Sequence, residues 1–385
     1  MKAFLSLLLF LFIISGCNEN QNYMGKEFVG EAGERPVLPS VKAFESNLQH
    51  KKTSLYILKN AFLRIAITNY GGRIVSILLP DSSGKIIDIV LGFNNISDYT
   101  KSHGQYFGAI IGRYANRIDS GRFVLNDTVY QTTLNENSSC YNGGETGFSD
   151  VVWDAQQTND TTLKLSYLSK DMEEGFPGNL QVQVIYSLTG KSLKIDYRAI
   201  TDKETVLNLT NQTCFNLNGI GSGEITDHLL SINAKSYLPV DSALLPTGEI
   251  LTVANTPFDF RKPKKIAQDL DDSSAQLQYA NGYNHNFVIN GVIDGRINRM
   301  ASITGNTSQI TLTVFSDQPG LQFYSGNDFK GDLRLKQKAT DGFRTGFSLL
   351  PQHFPNSPNE PSFPSTVLIP GNEFSSTTIY AFGIK

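Results

Sequence analysis

Five runs in this chain bring together residue types that could act on a hydroxylated ligand. They are Gly112-Arg113-Tyr114-Ala115-Asn116-Arg117, Tyr141-Asn142-Gly143-Gly144, Asn208-Leu209-Thr210-Asn211-Gln212, Tyr283-Asn284-His285-Asn286-Phe287 and Gln322-Phe323-Tyr324. Four of them set amides or arginine beside aromatic rings, and Asn208–Gln212 gathers amides and a hydroxyl. Hydroxyls need paired donors and acceptors, which amides and guanidinium supply, while the C–H faces of a sugar ring pack on aromatics. Taken singly, each run suits turn capping or a buried hydrogen-bond network better than a ligand site. Acidic loop residues such as Glu145, Asp150, Glu173 and Glu174 could also pair across a cleft as in a glycoside hydrolase, although solvated surface carboxylates account for them too.

Other chemistries lack their signatures. The histidines at 50, 103, 228, 285 and 353 show no metal-ligand spacing, and no Cys-x-x-Cys pair occurs, so neither a metal nor another cofactor is expected. There is no Gly-x-Ser-x-Gly elbow and no Gly-x-x-x-x-Gly-Lys phosphate loop. With 33 Lys and Arg against 36 Asp and Glu, the net charge of -3 provides no basic footprint for nucleic acid.

The elements that must position these runs read as strands. Leu180, Val182, Val184, Tyr186 and Leu188 are spaced two apart, as are Leu163, Leu165 and Tyr167, and Ile310, Leu312 and Val314; this period puts one face in a core and the other towards water. Turn chemistry at Tyr70-Gly71-Gly72, Asp81-Ser82-Ser83-Gly84, Leu188-Thr189-Gly190 and Asn290-Gly291 separates the runs. Only Ile96–Lys101 and Leu333–Lys338 suggest helix, and both are short. With 24 Phe and 16 Tyr but only 18% charged residues, the composition favours β-structure. No linker or repeat divides residues 51–385, which predicts one large all-β antiparallel domain.

The N-terminus predicts export. Lys2 precedes an apolar stretch, Ala3 to Ile14, that is too short for the ~20 residues of a spanning helix, and Ser15-Gly16-Cys17 follows. Ile14-Ser15-Gly16-Cys17 resembles a bacterial lipobox. That implies a signal peptide over residues 1–16, a lipid on Cys17, a polar tether over 17–50 and a membrane-anchored protein of the bacterial cell envelope. A plain secretory signal is the other reading. Cys140 and Cys214 would then sit in an oxidising compartment, either as two buried thiols or as a disulfide.

Together the runs resemble the aldose 1-epimerases, or galactose mutarotases. The likeness starts at Asn69-Tyr70-Gly71-Gly72 and takes in Ile111-Gly112-Arg113-Tyr114-Ala115-Asn116-Arg117-Ile118 and Glu174-Gly175-Phe176-Pro177-Gly178-Asn179-Leu180. Pro246-Thr247-Gly248-Glu249-Ile250, Thr256-Pro257-Phe258-Asp259-Phe260-Arg261, Pro319 to Asn327 and Gln352-His353-Phe354-Pro355 continue it in the family's order. The resemblance implies a single β-supersandwich with a cleft for a monosaccharide or a glycan end. It also implies interconversion of hexose anomers, in which a His protonates the ring oxygen and a Glu takes the proton of the anomeric hydroxyl.

At the positions that matter the sequence departs from that pattern. The acid His falls at Gln212 and the base Glu at Leu350; a second His falls at Asn142 and a hydroxyl-binding Asp at Asn284. Asn116, Arg117 and Gln322 are kept. Amides retain hydrogen bonding but cannot transfer protons at ordinary pH, and leucine can do neither. The expectation is a site that binds sugar through Asn116, Arg117, Asn142, Gln212, Asn284 and Gln322 and has lost most of its catalysis. Relocated catalysts, such as His353, His285 or a loop carboxylate, are the alternative. Because Cys140 lies two residues before Asn142 and Cys214 two after Gln212, the resemblance also raises the possibility of a disulfide bracing the cleft.

Overall fold

A computed structural model describes residues 37–102, 104–292 and 295–385. The segments expected to be a signal peptide, the lipidated Cys17 and the first part of the expected tether lie outside the described residues. Among those described, every pairing between strands of the sheets is antiparallel, as the alternating patterns predict.

The largest sheet has nine strands. In spatial order they are Asp154–Asn159, Thr162–Ser169, Leu180–Thr189, Ser192–Thr201, Phe374–Ile384, Ile310–Ser316, Asn298–Thr304, Leu229–Ile232 and Lys264–Lys265. Along Leu180–Thr189 the odd-sequence partners Gln181, Gln183, Ile185 and Ser187 are more exposed, whereas Leu180, Val182, Val184, Tyr186 and Leu188 are buried. That buried face meets Ile65, Ile67, Ile74 and Ile77 of a four-stranded sheet, and Phe287, Leu321, Phe323 and Leu349 of a five-stranded one, in one continuous apolar cluster. The result is a β-sandwich in which one broad sheet backs two smaller ones.

Two details differ from the sequence reading. Residues 37–50 are not merely a tether, because the turn Val41–Phe44 buries Phe44 completely and strand Ser46–Leu48 pairs with Lys51–Thr53. Gln49 also ties this segment down: its amide donates to the Asp150 carbonyl at 2.8 Å and accepts from the Val152 N–H at 3.1 Å. The folded domain therefore starts before residue 51. A polar composition hid this, since one ring and one amide carry the contacts. Helix is the second difference. Ile96–Lys101 is helical, capped by Asn95, but Leu333–Lys338 yields only a 3-10 turn at Lys336–Lys338, and a short helix at Ala275–Ala280 had no expectation.

Candidate functional site

The site grows from the parity of the five-stranded sheet, whose order is Leu251–Thr252, Ala234–Tyr237, Asn284–Ile289, Gly320–Tyr324 and Ser348–Gln352. Asn284 pairs with Tyr324, Tyr324 with Ser348, and Gln322 with Leu350. Directly opposed residues in a sheet project to the same side, so these polar and aromatic side chains share one face. The intervening residues His285, Phe287, Leu321, Phe323 and Leu349 project to the other face and are buried, all but His285 in the core cluster. Alternation thus sorts one set of residues into the core and the other into a cavity.

Two further pieces complete the wall. Asn116 and Asn142 both take left-handed backbone, with φ of 67° and 51°, and lock together: Asn142 N–H donates to the Asn116 carbonyl and Asn116 N–H to Asn142 Oδ1, each at 2.9 Å. The glycine after Asn142 is required, since its φ is 94° and a Cβ there would lie 2.0 Å from the Gly112 carbonyl oxygen. Strand Thr210–Gln212 brings in Gln212, whose Oε1 accepts from Asn142 Nδ2 at 3.2 Å. Thr210 Oγ1 donates to the Pro351 carbonyl at 2.7 Å, fixing this strand beside the one that carries Leu350.

Asn116, Arg117, Asn142, Gln212, Asn284, Gln322 and Leu350 all line a single cavity of about 250 Å³. The volume suits one monosaccharide more than an extended glycan. Tyr106, Phe107, Tyr141, Tyr324 and Phe329 supply rings, and Tyr106 meets Tyr141 edge-on at 5.6 Å. Gln322 Nε2 donates to Asn284 Oδ1 at 2.8 Å, which leaves Gln322 Oε1 buried without a partner. Arg117 is gripped by Glu136, at 2.5 Å from Nε and 2.9 Å from Nη2, and lies over the Tyr141 ring at 4.6 Å.

Among the described residues no histidine lines the cavity. His285, on the core side by parity, is pushed down to about 3 by burial; its Nδ1 accepts from the Asn284 N–H at 3.1 Å. His353 faces Gln318, 2.7 Å from its Oε1. Burial pushes Tyr141 up to about 12, with Arg117 acting against the rise and Glu136 and Asp328 adding to it.

The carboxylates that suggested a glycoside hydrolase lie elsewhere. Asp150 holds Tyr70 and Arg73, Glu173 holds Tyr167 and Ser169, and Glu174 caps the N–H groups of Glu145 and Thr146. Two others line the cavity, Glu136 and Asp328. Neither was singled out from sequence. Asp328 sits one residue beyond the Pro319–Asn327 motif, and Glu136 opens the turn that leads into strand Ser139–Tyr141.

No disulfide braces the cleft, because Cys140 and Cys214 are both free and buried. The two-residue offset fails at Asn142, where the left-handed backbone ends the strand Ser139–Tyr141 and breaks the alternation. Cys214 lines the cavity, whereas Cys140 packs with Tyr114, Ile118, Phe123 and Phe176 in a separate cluster.

Fold and cavity together define a β-supersandwich of the galactose mutarotase type. The chain belongs to the aldose 1-epimerase family, whose model matches residues 54–381. It is 38% identical over 327 residues to a galactose mutarotase from Sus scrofa, covering 85% of this chain and 93% of that one. It is 34% identical over 335 residues to an aldose 1-epimerase from Escherichia coli K12, with coverage of 85% and 94%. Among solved structures, galactose 1-epimerase from Lactobacillus acidophilus superposes with a TM-score of 0.77 at 29% identity, over 88% of this chain and 97% of that one.

Proposed function

We propose that the protein binds a hexose pyranose, or the hexose end of a glycan, in this cavity and that its mutarotase activity is lost or strongly reduced. The observation that carries this reading is the pair Gln212 and Leu350: both line the cavity, one as an amide and one as an alkyl group, where the resemblance would put the acid and the base. Ring opening needs a proton delivered to the ring oxygen and another removed from the anomeric hydroxyl, and neither side chain can do either. The amides still present paired donors and acceptors to sugar hydroxyls. Polarimetry or NMR exchange on freshly dissolved α-glucose and α-galactose is expected to give the rate of buffer alone. Acceleration well above buffer would refute the loss of catalysis.

A second reading, an active aldose 1-epimerase with relocated catalysts, is favoured by the two carboxylates Glu136 and Asp328 on the cavity wall and by the 38% identity to a galactose mutarotase. It predicts fast mutarotation that Asp328→Asn or Glu136→Gln removes.

We also propose that the mature chain is held at a membrane of the bacterial cell envelope by lipid on Cys17. The short apolar leader ending in Gly16-Cys17 supports this. Metabolic labelling with palmitate is expected to mark the wild-type chain and not Cys17→Ala; equal labelling of both would exclude it.

A further inference from the structure

We propose that the preferred ligand of the cavity is an amino sugar, a hexosamine pyranose whose protonated amine is received at Asp328. The proposal rests on the sugar-binding reading and narrows it.

The charges come first. Among the described residues that line the cavity there are two carboxylates, Glu136 and Asp328, and one permanent cation, Arg117. Glu136 engages Arg117 through both of its oxygens. The Asp328 carboxylate accepts from the Tyr324 hydroxyl, 3.3 Å from Oδ2, and forms no ion pair among the described residues. The lining is left with one excess negative charge, on an exposed side chain that an incoming cation can reach.

The donor and acceptor balance points the same way. An arginine on a sugar site would ordinarily donate to hydroxyls, but here Nε and Nη2 are both turned onto Glu136. One amide N–H of Asn142 is directed at Gln212 and one of Gln322 at Asn284. Among the fully buried lining atoms the acceptor Gln322 Oε1, on a side chain 5% exposed, has no partner. A buried acceptor without a donor costs about 1–3 kcal/mol, so a ligand that brings donors is favoured. An ammonium brings three donors and no acceptor, whereas each hydroxyl of a neutral hexose brings both.

The rings add a third contribution. Tyr106, Tyr141 and Tyr324 line the same cavity, and aromatic faces attract cations, as Tyr141 already does Arg117. Asp328 and Glu136 both push the Tyr141 hydroxyl upward, and Asp328 does the same to Tyr324 after burial, so the negative field reaches the interior of the site.

The test is calorimetry on the intact domain at neutral pH and low salt, with glucosamine and galactosamine against glucose, galactose and the N-acetylated hexosamines. The free amino sugar is expected to bind about tenfold tighter than its hydroxyl and N-acetyl counterparts, the scale of one charge-assisted hydrogen bond. High salt should shrink that margin, because the pair is accessible to solvent. Asp328→Asn, isosteric and exposed, should erase it. Glu136→Gln, which releases Arg117 into the cavity, should weaken amino-sugar binding as well. A neutral hexose that binds as tightly as the amino sugar, or a preference that survives Asp328→Asn, overturns the proposal and leaves the sugar-binding reading intact. Binding of no sugar at all overturns that reading and this proposal with it.

Discussion

Mutarotation of glucose or galactose is expected to rise by about 10²–10⁴ over the wild type when Gln212→His and Leu350→Glu are combined. The two positions sit on neighbouring strands, joined by the hydrogen bond from Thr210 Oγ1 to the Pro351 carbonyl, and both line the cavity. A histidine at 212 would keep a hydrogen-bonding neighbour in Asn142, which now donates to the Gln212 side chain. A carboxylate at 350 would enter a site only 5% exposed, where burial raises its affinity for protons and suits it to act as a base. Each replacement alone should gain far less, because acid and base act on one transition state and their effects are not additive. Stopped-flow polarimetry with the four combinations of residues checks this. A folded double variant that binds sugar and still mutarotates at the buffer rate would show that the scaffold has drifted beyond the two missing groups.

The strands and the site were unequally legible. Alternation along Leu180–Thr189 and Ile310–Ser316 located the buried faces because a sheet has a strict period of two. The same period explains why Asn284 reached the cavity and His285, its neighbour, went to the core. Resemblance to a family placed Asn116, Arg117, Asn142, Gln212, Asn284, Gln322 and Leu350, and all of them line one cavity. It could not supply what is particular to this chain. Glu136 reaches Arg117 across a turn at Asn137, and Asp328 arrives on a loop, so no periodicity points to either. The disulfide expectation failed on a single φ angle at Asn142, a feature that residue spacing does not encode. The packing of Phe44 and Gln49 is not legible in sequence for a related reason: isolated contacts at a chain's edge leave no repeating pattern.

Truncating Lys336 is expected to have the largest effect on stability, about 3–5 kcal/mol for Lys336→Met. Its ammonium is buried, 2% exposed, and donates to Asp88 Oδ2 at 2.7 Å, to Ser76 Oγ at 2.8 Å and to the Val75 carbonyl. Asp88 is buried too, and its other oxygen accepts from the N–H groups of Ile77 and Val90. Removing the ammonium would strand that carboxylate among apolar residues, and the loss should appear as a lower midpoint in urea unfolding with an unchanged slope. Adding Asp88→Asn removes the stranded charge while keeping an acceptor for Ile77 and Val90, so the double variant should recover part of the stability. Failure of that recovery would mean that the packing of the lysine stem, not the charge pair, carries the stabilisation. The effect should extend to ligand binding. Lys336 fastens the loop that returns from Asp328 and Phe329, with its own N–H on the Gly92 carbonyl and Leu333 N–H on Asp341. A loosened loop holds Asp328 less firmly at the cavity, so affinity for an amino sugar should fall more than affinity for a neutral hexose. The buried ion pair therefore connects the four-stranded sheet to Asp328, which has no cation partner among the described residues.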